Sequence, residues 1–85
     1  MTVAVVPVRV LLFGHYRELA GAGEIELELP AGSRIDDLIA EIRSDPALAG
    51  IPSAPAVAVN RRYASGAHVL APDDEIALIP PVAGG

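Results

Sequence analysis

Residues 24–29, E-I-E-L-E-L, alternate without a break between glutamate and a branched aliphatic side chain. A period of two fits a strand with one dry and one wet face, so Ile25, Leu27 and Leu29 point to a core while Glu24, Glu26 and Glu28 point to water. Pro30, Ala31 and Gly32 then turn the chain. Beyond them the period changes to that of a helix, with Ile35, Leu38, Ile39 and Ile42 on one stripe. Ser33, with Asp36 three residues on, reads as a variant capping box, so a helix is expected from about Arg34 to Arg43 or a little beyond. Its acidic start and basic end suit the helix dipole. One such helix can cover only one face of a sheet, which limits the chain to a two-layer α+β sandwich.

The other strands are shorter. Val8 to Phe13 reads as a strand, with Val8, Val10 and Leu12 on one face and Arg9, Leu11 and Phe13 on the other. Arg9 marks the wetter face, so Phe13 is expected to point away from the core. Residues 1–7 are compatible with either a leader or an extension of this strand. Tyr16 to Ala20 suits a single helical turn. Ser44 to Pro55 reads as a loop with at most one short turn, Ala56 to Val59 as a strand, and Asn60-Arg61-Arg62 as a turn leading into a segment around Tyr63. His68 to Leu70 suits a brief pairing with a sheet edge. Pro72-Asp73-Asp74 turns the chain into a last strand, where Ile76 and Leu78 face one way and Ala77 and Ile79 the other. That strand is expected to lie centrally beside the first, which brings Phe13 and Ile79 together on the uncovered side as a docking surface.

After the last strand come Pro80, Pro81, Val82, Ala83, Gly84 and Gly85. Neither proline has a backbone N–H to donate, so the pair stops the ladder and favours an extended course away from the sheet. The two glycines have no Cβ, so they can enter a channel too narrow for other residues and deliver an unhindered carboxylate. Glycine-rich ends are commonly frayed tails without a role. The position of this pair, after a strand and a rigid spacer, is the more specific signal.

Composition excludes several functions. With 85 residues the chain is one small domain with one core. It contains no cysteine, hence no disulfide, thiolate metal site or cysteine nucleophile. His15 and His68 lack companions at ligand spacing, and Gly21-Ala22-Gly23 matches neither a P-loop nor a dinucleotide fingerprint. A net charge of −5 argues against nucleic acid and for a partner with a cationic surface. No run is long and apolar enough for a bilayer and no secretory signal is evident, so a cytoplasmic protein without a membrane partner is expected. All six basic residues are arginine. If the carboxylate is activated as an acyl adenylate, lysine amines on the same protein would compete for it, although a compositional preference for Arg, Ala, Gly and Pro is the simpler origin of the pattern.

Taken together, the chain resembles the small subunit of molybdopterin synthase, a ubiquitin-like β-grasp sulfur carrier of the MoaD/ThiS type. Leu12-Phe13 followed by Arg17-Glu18-Leu19 is similar to that family's first strand and turn, and Ala58-Val59-Asn60 to its middle strand. Asp74-Glu75-Ile76-Ala77 running into Pro80-Pro81-Val82-Ala83-Gly84-Gly85 is similar to its ending, the most specific part. Asp73 stands where a glycine is common, and Ala83 where threonine or serine is common.

The resemblance implies a single domain over residues 1–85, with a β-grasp core at about 8–79 and a projecting tail at 80–85. Its sheet would be mixed and four- to five-stranded, with one main helix on one face. The resemblance further implies that an adenylating enzyme related to ubiquitin-activating enzymes uses ATP to activate Gly85, and that a sulfur donor leaves a thiocarboxylate there. The tail would then enter a large subunit, in a heterotetramer of two small and two large chains, and give its sulfur to a pterin precursor. Phe13, Tyr63 and Ile79 would contact that subunit, and Pro80, Pro81, Val82, Ala83 and Gly84 would be inserted in it. Arg17 would be either an interface group or half of a local ion pair. The chain would bind no cofactor or metal and act as a non-catalytic cosubstrate. Other possible sulfur acceptors are those of thiazole synthesis, cysteine synthesis or tRNA thiolation, although Pro-Pro-Val favours the pterin branch. Conjugation to a target lysine, as by ubiquitin, and a plain binding module with an inert tail are the remaining readings.

Overall fold

The computed structural model describes residues 4–81. The elements in chain order are β1 (Val5–Leu12), α1 (Gly14–Ala20), β2 (Glu24–Pro30), α2 (Ile35–Arg43), a 3-10 turn at Pro46–Leu48, β3 (Ala56–Val59), β4 (Arg62–Ala64) and β5 (Glu75–Ile79). The five strands form one sheet in the order β2-β1-β5-β3-β4. β5 runs parallel to β1 and antiparallel to β3, while the two flanking pairs, β1–β2 and β3–β4, are antiparallel hairpins. The sheet is therefore mixed, with the last strand at its centre as the sequence suggested.

The alternation in β1 and β2 sets which face is dry. Val6, Val8, Val10 and Leu12 are buried from β1 and Leu29 from β2, with Ile25 and Leu27 partly covered at the edge. Ile76 and Leu78 of β5 and Val57 and Val59 of β3 complete that face. Against it lies α2, whose Ile35, Leu38, Ile39 and Ile42 are all buried. Each fully covered branched aliphatic side chain contributes about 1.5–3 kcal/mol of transfer free energy, so this single interface dominates the stability of the domain. Among the described residues, no helix is long and apolar enough to cross a membrane.

Several boundaries differ from the sequence reading. β1 starts at Val5 instead of Val8 and ends at Leu12, so Phe13 lies outside the strand. Pro7 is tolerated within it because even-numbered residues bond to β2: Leu12 N–H donates to the Gly23 carbonyl, and Ala31 N–H to that of Ala4. Pro7 faces the other side, where β5 pairs only from Arg9 onward, so its missing donor costs no ladder bond. The turn after β1 becomes a helix of seven residues instead of a single turn from Tyr16. Gly14, at φ 50°, reverses the chain out of the strand, and Gly21, at φ 69°, closes the helix with its N–H donating to the carbonyls of Arg17 and Glu18.

At α2 the cap is Arg34 instead of Ser33. The Asp37 carboxylate, not that of Asp36, accepts from the Arg34 N–H at 2.8 Å. Val69 bridges to Arg34 ahead of α2 and not to a sheet edge. Ile35 N–H donates to the His68 carbonyl and Leu70 N–H to that of Ser33, tying this segment to the start of the helix.

Candidate functional site

Because α2 lies on one face only, the opposite face of the sheet is open, and its side chains are ordered by strand register. Leu11 of β1 pairs with Ala77 of β5, Ala77 with Ala58 of β3, and Ala58 with Tyr63 of β4. These four residues make one apolar row across four strands. The next position along the sheet pairs Ile79 with Ala56. Phe13 follows directly beyond the end of β1 and caps α1 with its backbone, its carbonyl accepting from the N–H groups of Tyr16 and Arg17. Its ring side is free of any capping role and the residue is 47% exposed, while Tyr63 is 79% exposed.

The other half of the open face is charged. Arg9 stands between Glu26 of β2 and Glu75 of β5 in register, and its Nε lies 3.5 Å from Glu24. The open face is thus divided into an apolar half toward the end of β5 and an acidic half toward its start. An open groove of about 610 Å³ lies in the acidic half, between Pro7, Arg9, Glu26, Glu28, Asp73 and Asp74.

β5 delivers the tail on the apolar side. Pro80 follows Ile79 and sits against Gly14, where an added Cβ would meet its ring carbon at 3.3 Å. The root of the tail is therefore wedged at the start of α1, beside Phe13. Of the expected site residues, the structure brings Phe13, Tyr63, Ile79, Pro80 and Pro81 to the open face and its tail end. Val82, Ala83, Gly84 and Gly85 lie outside the described residues. Sequence reasoning did not count Leu11, Ala58 and Ala77 as part of the surface. Leu11 shares the parity of Arg9, and Ala77 that of Ile79, so both were available to that reading, whereas Ala58 becomes visible only through register.

Arg17 forms no ion pair among the described residues. Its side chain lies along Gly23, where an added Cβ would stand 3.5 Å from Nε, so it packs over the turn after α1.

At the start of β5 a polar network holds the strand. The Asn60 side-chain amide donates to Asp74 at 2.9 Å and its carbonyl oxygen accepts from Glu75 N–H, while Ala71 N–H donates to Asp74 at 3.0 Å. His68 lies 3.4 Å from the same carboxylate. Burial works against the charged form of Asp74. The bonds from Ala71, Asn60 and His68, with the charge of His68, outweigh burial and hold the carboxyl below its ordinary value of 3.8. The network is remote from the tail, and its effect is to fix where β5 enters the sheet. Elsewhere, burial raises the pKa of the Tyr16 phenol.

The model of the ThiS family matches residues 10–85. The molybdopterin synthase sulfur carrier subunit of Arabidopsis thaliana is 34% identical over 84 residues, covering 94% of this chain and 84% of that protein. The protein of the same description from Chlamydomonas reinhardtii is 37% identical over 81 residues, covering 92% and 98%. Among solved structures, a putative molybdopterin converting factor subunit 1 from Pyrococcus furiosus superposes with a TM-score of 0.78 at 35% identity, covering 91% of this chain and 99% of that one. The five-stranded sheet and its two helices share the ubiquitin-like β-grasp fold of such neighbours.

Proposed function

The chain belongs to the ThiS family, and from that premise we propose that it is the sulfur carrier subunit of a molybdopterin synthase, bearing a thiocarboxylate on Gly85. The observation that carries this reading is the placement of the tail root. Pro80 and Pro81 leave the central strand at the apolar half of an uncovered sheet face, so a partner that covers the face also receives the tail.

The chemistry requires two activations. A carboxylate expels oxygen poorly, so an adenylating enzyme first joins the Gly85 carboxylate to AMP from ATP, releasing pyrophosphate. A sulfur donor then displaces AMP, breaking the acyl C–O bond and forming a C–S bond. The thiocarboxylate is ionised at neutral pH, and its soft sulfur is the nucleophile delivered to a pterin precursor.

The chain's own contribution is presentation. Its β-grasp body holds Phe13, Leu11, Ile79 and Tyr63 toward a large subunit, the rigid Pro80-Pro81 pair fixes the direction of exit, and Gly84 and Gly85 suit a narrow channel. The names of the plant and algal relatives support the molybdopterin assignment. The net charge of −5 complements a cationic partner, and a heterotetramer of two small and two large chains is the assembly this role implies.

Incubation with the adenylating enzyme, ATP and a sulfide source tests the proposal by intact mass. Gain of the mass difference between sulfur and oxygen, confined to the C-terminal peptide, is the expected result. A ladder of covalent adducts on other proteins would favour a conjugated modifier, and no change in either assay would leave a binding module.

A further inference from the structure

All six basic residues of this chain are arginine, and all six are exposed. The fold does not require this everywhere. Arg34 Nη1 donates to the Ala67 carbonyl and Arg43 Nε to that of Ile51, uses that suit a guanidinium. Arg61 and Arg62, on the β3–β4 hairpin, make neither an ion pair nor a side-chain hydrogen bond among the described residues, so lysine would serve there equally. Whatever the origin of the composition, its chemical consequence is the same. A guanidinium stays protonated and does not attack an acyl carbon, whereas a lysine amine does so through its small free-base fraction. No cysteine is present to form a thioester. The exposed imidazole of His15 and phenol of Tyr63 yield acyl derivatives that water cleaves.

We propose that the activated chain is a one-way acyl donor: it passes its C-terminal acyl group to sulfur or to amines of other molecules and accepts none on its own side chains. An amine that attacks the adenylate forms a C–N bond, AMP leaves as the C–O bond breaks, and the amine proton goes to solvent. No further copy can therefore be added through a side chain of a copy already transferred, the α-amine being the one amine of the chain left to accept, and the activated pool stays free of side-chain-linked chains. This rests on the reading that Gly85 is adenylated.

The test uses the chain with its α-amine acetylated, the adenylating enzyme and ATP, without a sulfur donor and with or without ethanolamine. Arg61→Lys/Arg62→Lys, which keeps charge and exposure, is run in parallel. Pyrophosphate release reports activation, and its absence counts against the Gly85 reading itself. With activation present, the wild type is expected to form the ethanolamide and no amide-linked dimer, while the lysine variant forms dimers at least about fivefold above the wild-type background signal. Wild-type dimers linked through a side chain, a lysine variant as free of dimers as the wild type, or failure of ethanolamine to be acylated would each overturn the proposal.

Discussion

Replacement of Tyr63 by alanine separates docking from folding more cleanly than any other change on the open face. The residue is 79% exposed, so the fold gains little from its ring. A tyrosine offers roughly 200 Å² of coverable surface, which leaves about 160 Å² in water in the free protein. At about 25 cal/mol per Å², covering half of that area is worth about 2 kcal/mol, or close to thirtyfold in Kd. The expected result is such a loss in calorimetric titration against the large subunit, with a melting temperature within a few degrees of wild type. Tyr63→Phe should keep most of the affinity because the ring remains. Val69→Ala is the control, since Val69 is 48% exposed but bridges to Arg34 beside α2, away from the apolar row. A Tyr63→Ala complex within about threefold of wild type, with folding intact, would refute the assignment of this face.

Phe13→Ala and Ile79→Ala, at the tail end of the same face, should each weaken the complex by about 1–3 kcal/mol in the same titration. Deleting Gly85, or adding one residue after it, should abolish sulfur transfer in the intact-mass assay while leaving the denaturation midpoint unchanged, because the core lies upstream. The Asp74 carboxyl is held below 3.8 in the folded chain, so its contribution is complete above that ordinary value and is lost as pH falls through the lower, folded one. Urea midpoints should therefore show Asp74→Asn less stable than wild type near neutrality, with the gap closing in acid below about pH 4. Asp73 occupies φ 70°, so Asp73→Gly should raise stability by about 1 kcal/mol, a shift of several degrees in Tm on thermal unfolding.

The elements read most fully from sequence were those whose periodicity is dictated by a dry face. β2, α2, β3 and β5 carry strong apolar stripes because one side of each meets the same core, and their limits fell within a residue or so of the observed ones. Junctions were harder to read. Gly14 reads as a breaker, but Phe13 continues the alternation of Leu11, so the pattern does not show that the strand stops at Leu12 or that a helix starts at Gly14 itself. Ser33 is the better capping residue by propensity, yet the cap lies at Arg34, where the side chain also reaches the Ala67 carbonyl. That contact, like the bridge from Arg34 to Val69, joins segments far apart in sequence and leaves no local trace. The site was legible for a related reason. Parity placed Phe13 and Ile79 on the open face, with Leu11 and Ala77 sharing that side, whereas Ala58 acquires meaning only once β5 is seated between β1 and β3.

That seat for β5 has a consequence for damaged or incomplete chains. Until the strand inserts, the β1–β2 and β3–β4 hairpins each present a bare inner edge, and closing the gap joins residues from nearly opposite ends of the polypeptide. A copy whose β1 or β3 has failed to form has no slot for β5 and so no fixed point from which its end can be offered. A fixed tail root at Pro80 thus reports that the whole body has assembled, and in the proposed role an activating enzyme would meet a substrate already proofread by its own topology.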